Sequence, residues 1–309
     1  MKTAPRVSIG MPVFNGMDGI CRALDSLLAQ TYQDFELIIS DNASTDRTAD
    51  ICQQYATRDA RIRYVRQQRN IGAFANFDYV LRIAQGEYFM WAAHDDKWDP
   101  RFIENALSVF DVHDEAVVAV AAEAQYTINN IAQDFFPEGS AFRKLLIENP
   151  AQRVAFMLDH NFGDLFYSLY RRKALLTGEN TALSVAPSRS MNEIPFFLQV
   201  AARGNWLVSE YPLIFKDTNI RTYLNARWEI NGGCLESAPA LLHHLRSIVY
   251  AGKYHVSAIR STLASIGLLS LPNKDKRKLK LHAVRNFAMH FIYFAIRWKP
   301  KRKVVTDSL

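Results

Sequence analysis

Along the first 120 residues, short apolar runs alternate with stretches whose apolar positions recur at helical spacing. Val7 to Val13 (VSIGMPV) reads as a buried strand, closed by the turn Phe14-Asn15-Gly16. From about Asp18 to Gln30, Ile20, Leu24, Leu27 and Leu28 share one helical face. Phe35 to Ser40 (FELIIS) is a second strand running into the polar cluster DNASTD, where Ser44 or Thr45 can cap the next helix. Arg61 to Val65 and Glu87 to Ala93 make two further strands, separated by a helix over Gly72 to Gln85. Asp99-Pro100 then opens a helix, since Asp is a good N-cap and Pro is at home in the first turn. Ala116 to Ala122 is a fifth strand.

Strands separated by helices of this length imply βαβ units and a largely parallel sheet, an α/β fold. Ligands in such sheets lie at the carboxyl ends of the strands. Phe14 and Asn15, Asp41 and Asn42, and Asp95 and Asp96 all fall at that edge, and their convergence says more than any one of them. Beyond residue 122 the pattern loosens. Asp164 to Tyr170 reads as a strand, Glu193 to Arg203 as a helix and Trp206 to Val208 as a strand. Helical patterning follows over Ala238 to Tyr250, His255 to Leu269 and Lys274 to Trp298, with Pro272-Asn273 as the clearest linker.

Composition narrows the class. With 49% hydrophobic and 22% charged residues the chain is globular in character. No apolar run approaches the roughly 18 residues of a membrane span. Three distant cysteines offer neither a disulfide framework nor a zinc site, and suit a reducing, cytoplasmic setting. The net charge of +6 is uneven: residues 274–303 hold eleven Lys/Arg against Asp275 alone.

Two adjacent carboxylates at a strand end, Asp95-Asp96, repel unless a cation lies against them. A hard divalent ion such as Mg²⁺ or Mn²⁺ bridging to a diphosphate fits that pair better than a solvated acidic loop, because Asp99 already supplies the cap. Asp41 and Asn42 read equally as turn residues and as a recognition pair for base or ribose. Asn70-Ile71-Gly72 reads first as a plain turn into a helix, and second as backbone N–H groups offered to phosphate. Ser190-Met191-Asn192-Glu193 is a capping box, which also leaves Glu193 at a helix mouth where a general base can sit. No dinucleotide or P-loop glycine motif is present.

Taken together, VSIGMPVFNG, ALDSLLAQTYQDFELIISDNASTDRT, NIGAFANF and GEYFMWAAHDDKWDP resemble an inverting family 2 glycosyltransferase of GT-A-type fold. The likeness is dense over residues 5–110, and continues faintly through FGDLFYSLYRR and NEIPFFLQVAARG. It implies a nucleotide pocket at Pro12, Phe14, Asn15, Asp41, Asn42, Asn70, Gly72 and Asp95. It further implies a metal at Asp96, the principal ligand, with Asp95, and Glu193 as catalytic base. Asn42 stands where the family has a second Asp, and Asn192-Glu193 where it has Glu-Asp. An Asn oxygen still accepts a pyrimidine N–H, so a UDP- or dTDP-sugar is the expected donor. The expected product is a bacterial surface polysaccharide or lipopolysaccharide, built on a saccharide or lipid-linked saccharide acceptor. The expected division is 1–122 for the nucleotide-sugar, 123–233 for the acceptor and 234–309 as a helical extension. A nucleotide-sugar-binding scaffold without turnover is the alternative.

The tail adds its own expectation. On a helix, His282, Asn286, His290, Tyr293 and Arg297 form a polar stripe, opposite Val284, Phe287, Ala288, Phe291, Ile292, Ala295 and Trp298. Such a helix suits a peripheral contact with the cytoplasmic face of the inner membrane, or packing on the catalytic domain or on a second copy in a homodimer. Its aromatics read as buried or interfacial rather than as base-stacking platforms, so no nucleic-acid partner is expected.

Overall fold

The computed structural model describes residues 4–113, 117–128, 131–134, 146–159, 163–184, 194–218 and 259–297. Four parallel strands come from the first ninety residues: β1 (Val7–Val13), β2 (Phe35–Asp41), β3 (Ile62–Arg66) and β4 (Tyr88–Trp91). Helices α1 (Ile20–Leu28), α2 (Thr48–Arg58) and α3 (Ala73–Ile83) connect them. β5 (Lys97–Trp98), α4 (Phe102–Val112), β6 (Val117–Ile128) and β7 (Ile131–Asp134) follow. The chain continues through α5 (Pro150–Asp159), a 3₁₀ turn at Gly163–Tyr167, β8 (Leu169–Arg171) and α6 (Arg172–Leu175). A two-stranded hairpin of β9 (Leu176–Thr177) and β10 (Asn180–Thr181) precedes α7 (Ile194–Ala201) and β11 (Asn205–Thr218). Helical residues 259–268 lead to the C-terminal helix, Asn273–Arg297.

Nine of these strands form one sheet in the order β3-β2-β1-β4-β8-β6-β11-β5, with β7 on β6. Short β8 runs antiparallel to both β4 and β6, so β1 to β4, β6 and β11 all point the same way. The sheet therefore passes without a break from the first 122 residues into the later ones.

The continuous apolar runs follow from burial on both faces, which a parallel sheet covered by helices requires. Side chains alternate across the pleat. Val7, Ile9, Met11, Leu37, Ile39 and Met90 meet Leu24, Leu27, Phe102 and Phe110 from α1 and α4. Ile38, Phe89 and Trp91 point the other way, to Val80 of α3, Phe166, and Phe196 of α7. Trp91 is the hub of that second layer. Its ring centroid lies 4.6 Å from Phe166, 4.8 Å from Phe89 and 5.6 Å from Phe196, and its indole N–H donates to the Phe77 carbonyl at 3.0 Å.

Several local expectations need correction. Ser44 and Thr45 do not cap α2; Asp46 Oδ1 accepts from the Thr48 N–H at 3.0 Å ahead of that helix. Asp99 stands ahead of α4, accepting from the Arg101 N–H through Oδ1 at 2.9 Å, while the cap position, Arg101, makes no side-chain cap. The expected strand Asp164 to Tyr170 is instead the 3₁₀ turn followed by three strand residues, because the Ser168 and Tyr170 hydroxyls both bond back to the Leu165 carbonyl. The strand near Trp206 to Val208 runs on to Thr218 along β6, with register shifts on both sides of Pro212. The helix expected over Ala238 to Tyr250 lies outside the described residues.

Candidate functional site

The sheet order reverses at β1: β2 lies on one side and β4 on the other. A crevice between the carboxyl ends of β1 and β4 is the place for a ligand in an open α/β sheet. There the structure holds an open cavity of about 350 Å³. Pro12, Phe14 and Asn42 line one side, Asn70, Asn76 and Phe77 another, and His94, Asp95 and Tyr167 a third.

Each wall is fixed by a specific device. Asn15, at φ 52°, staples the loop after β1 to the loop after β2. Its N–H donates to Ser44 Oγ at 2.9 Å, and its Oδ1 accepts from the Thr45 N–H at 2.9 Å. Asp41 is fully buried behind the wall. Its Oδ1 accepts from the Ser44 N–H at 2.8 Å, and its Oδ2 from the Tyr64 hydroxyl at 3.0 Å with Arg66 Nε 3.6 Å away. Burial and that carboxylate both push the Tyr64 hydroxyl above the usual phenol range, so it stays a proton donor.

Asn42 does reach the cavity. Its Oδ1 accepts from the Ile71 N–H at 2.8 Å and its Nδ2 donates to Asn70 Oδ1 at 3.0 Å. An amide carries two acceptor sites and two donor hydrogens, so one of each is left for a ligand. The Gly72 N–H donates to Asn70 Oδ1 at 2.8 Å. The N–H groups of Ile71 and Gly72 are thus occupied within the protein, which accords with the plain-turn reading of this segment. Asn70 contributes its side chain instead.

The acidic loop after β4 rests on the start of α1. A Cβ on Gly16 would lie 2.6 Å from His94 Cδ2, and one on Gly19 3.0 Å from both the Asp95 Cα and the His94 carbonyl oxygen. Arg22 Nη2 donates to the Asp95 carbonyl at 2.8 Å. Asp95 is exposed on the cavity wall, whereas Asp96 is 6% exposed and does not line the cavity. The two carboxylates are therefore not equivalent: Asp95 faces the ligand space. Gly19→Ala must push the loop by a few tenths of an ångström. Turnover is expected to fall about tenfold with an unchanged melting temperature, short of the roughly 10²-fold cost of a full 1 Å misplacement. A melting temperature that falls with activity would mean the glycine serves folding alone.

Of the residues expected from the sequence, Pro12, Phe14, Asn42, Asn70 and Asp95 come together around the cavity. Asn15, Asp41, Gly72 and Asp96 support it from behind or beside, and Glu193 lies outside the described residues. Sequence reasoning missed Asn76, Phe77 and Tyr167. Asn76 is 2% exposed on α3 and clamps the end of β2, donating to the Ser40 carbonyl at 2.9 Å and accepting from Ser40 Oγ at 2.6 Å. A polar residue on the buried face of an amphipathic helix was its available signal.

A mostly parallel sheet with its crevice at this reversal is a GT-A-type α/β fold. The family model of Glycosyl transferase family 2 matches residues 8–177, more than half of the 309-residue chain, and the chain belongs to that family. It is 40% identical over 123 residues to WcaA of Escherichia coli (strain K12), named for glycosyl transfer in colanic acid biosynthesis; the match covers 39% of this chain and 42% of that one. It is 40% identical over 103 residues to TuaG of Bacillus subtilis (strain 168), named for teichuronic acid biosynthesis, covering 33% and 41%. The matching stretch thus spans about two fifths of these relatives' length. Among solved structures, residues 1–349 of S. aureus TarS with UDP-GlcNAc superpose at a TM-score of 0.65 and 15% identity, covering 95% of this chain and 76% of that one. The mannosyltransferase PcManGT of Pyrobaculum calidifontis, with GDP-Man and Mn²⁺, gives 0.52 and 16%, covering 96% and 88%. At such identities the likeness concerns the fold.

Proposed function

We propose that this protein transfers a sugar from a UDP- or dTDP-sugar to a hydroxyl of a saccharide or lipid-linked saccharide, inverting the anomeric carbon, in bacterial surface polysaccharide assembly. The observation that carries the reading is the cavity at the β1/β4 reversal, with an aromatic ring, an amide and a carboxylate on its walls. Phe14, 43% exposed at the mouth, offers a face for base stacking. Asn42 has an acceptor site for a pyrimidine N–H and a donor hydrogen for the neighbouring carbonyl. Residues 1–122 would bind the donor, 123–233 the acceptor, and Tyr167 is where the later half meets the cavity. The names of WcaA and TuaG support the polysaccharide setting, and a lipid-linked acceptor places the work at the cytoplasmic face of the inner membrane.

The acidic loop suits a hard divalent ion. Mg²⁺-type sites use one or two carboxylates and leave the rest of the shell to water and phosphate. No cluster of three or more His, Cys, Asp or Glu among the described residues forms a closed cage. Asp95 would hold the ion with Asp96 beside it, and the ion would supply positive charge against the departing diphosphate. The protein's own part is positional. Phe14, Asn42 and Asn70 would orient the nucleotide, and Glu193 would take the proton of the acceptor hydroxyl. The acceptor oxygen then bonds to the anomeric carbon as the bond from that carbon to the diphosphate breaks on the opposite face.

Donor hydrolysis across UDP-, dTDP- and GDP-sugars with Mn²⁺ or Mg²⁺ tests the activity; no turnover of any donor would leave a binding scaffold. Isothermal titration in Mn²⁺ is expected to show UDP or dTDP binding more tightly than GDP or ADP. Clearly tighter GDP binding overturns the pyrimidine assignment.

A further inference from the structure

A helix on a globular domain ordinarily turns its apolar stripe to the core and its polar stripe to water. The C-terminal helix instead packs on α5 with a mixed polar and apolar face. His282 Nε2 lies 2.7 Å from Asp159 Oδ1, and Asn286 Nδ2 donates to the same oxygen at 2.7 Å and to the Leu158 carbonyl at 3.2 Å. Leu279 and Ala283, 4% and 0% exposed, complete the face that packs on α5. His282 and Asn286, of the polar stripe read from the sequence, therefore lie on the packed side.

What remains outside is apolar and basic. Leu281 is 73% and Val284 42% exposed, and Ala288 is exposed too. Arg277, Leu281, Val284 and Ala288 follow one another at helical spacing of four, three and four residues, so they form one stripe. Lys274, Lys278, Lys280 and Arg285 are exposed around it. A single exposed leucine needs no explanation, but a stripe rimmed by cations does.

We infer that this outward face docks onto an anionic lipid surface, the helix lying in the plane of the interface. Charge selects the occupant. A second copy would bring the same cations face to face, because residues 274–303 carry eleven Lys/Arg to one acid. A nucleic acid would satisfy the cations and leave the apolar stripe in water. Anionic headgroups with an acyl boundary beneath them satisfy both. Each Lys or Arg near such a surface strengthens binding roughly fivefold. Among the described residues no helix is long and apolar enough to cross a membrane.

The test is co-sedimentation of the full chain with phosphatidylcholine vesicles, with and without phosphatidylglycerol. Sedimentation is expected only with phosphatidylglycerol, and is expected to weaken as salt rises. Leu281→Glu combined with Val284→Glu should reduce it to the level seen with neutral vesicles. Val112→Glu, at an 80% exposed position on α4, should leave it intact. Because Leu281 and Val284 are exposed, folding should survive, as a thermal melt would verify. The inference is overturned if the full chain ignores anionic vesicles or if the double substitution leaves sedimentation unchanged. It is equally overturned if that substitution dissolves a dimer in sedimentation velocity while no lipid is bound. The measurement uses neither donor nor acceptor, so its failure and a failure of the transfer reading are separate results.

Discussion

Asp95→Asn is expected to lower sugar transfer by about 10²–10³-fold, the range seen when one preorganised electrostatic group is removed from a site. The substitution keeps the shape of the side chain and removes its charge. Arg22 holds the Asp95 carbonyl at 2.8 Å and Gly19 packs under its Cα, so the backbone of the loop should not move. The loss should then appear in metal-dependent nucleotide binding: calorimetry with Mn²⁺ should show weakened affinity, and calorimetry in chelator little difference from the unsubstituted chain. Asp96→Asn is the necessary partner experiment. The family resemblance assigns the principal ligand to Asp96, which is buried, while Asp95 is the one of the pair that lines the cavity. A larger loss in Asp96→Asn would return the role to Asp96, and full activity in excess chelator would remove the metal from the scheme.

The parts of this fold that could be read ahead were those where one local pattern has one structural outcome. β1 was legible end to end, and β2 to within a residue, because strands buried on both faces are apolar at nearly every position, and the polar residues that stop them are the cavity loops. Asn42 and Asp95 were legible for the same reason, because they sit where such runs end, whereas Asn70 was read from its place just ahead of a helix. What stayed hidden depended on partners far along the chain. Ser44 and Thr45 are as good at capping as at bridging, and Asn15, about thirty residues earlier, decides the matter. Periodicity found two faces on the C-terminal helix but not which would turn inward; Asp159, more than a hundred residues away, sets that. The length of β11 was masked by Ser209, Glu210, Lys216 and Asp217, polar residues that a strand accepts once β6 is beside it. Tyr167 reaches the cavity from a 3₁₀ turn, an element with no periodic signature of its own.

Glu193→Gln is expected to reduce turnover by about two to four orders of magnitude, the usual consequence of losing a general base, while donor affinity survives. The glutamate stands immediately before α7, and what is described of that helix ties its first turn to the site. Phe196 lies 5.6 Å from Trp91 and 5.1 Å from Phe166, ring centroid to ring centroid, so α7 starts against the layer beneath the cavity. Trp91 is the last residue of β4, three residues ahead of His94. A capping box explains a glutamate at this position as well as catalysis does, and the two readings separate cleanly under the conservative change. Glutamine retains the hydrogen-bonding capacity a cap needs and loses only the ability to take a proton at neutral pH. A base therefore predicts collapsed turnover, undiminished nucleotide binding and an unaltered melting temperature. A cap predicts retained turnover and a melting temperature little changed by glutamine but lowered by Glu193→Ala. Should the cap prevail, the search for the base narrows: the Asp159 carboxylate is already engaged by His282 and Asn286. Glu123 on β6 and Asp164 in the 3₁₀ turn then become the carboxylates to substitute, with the same pair of measurements deciding between them.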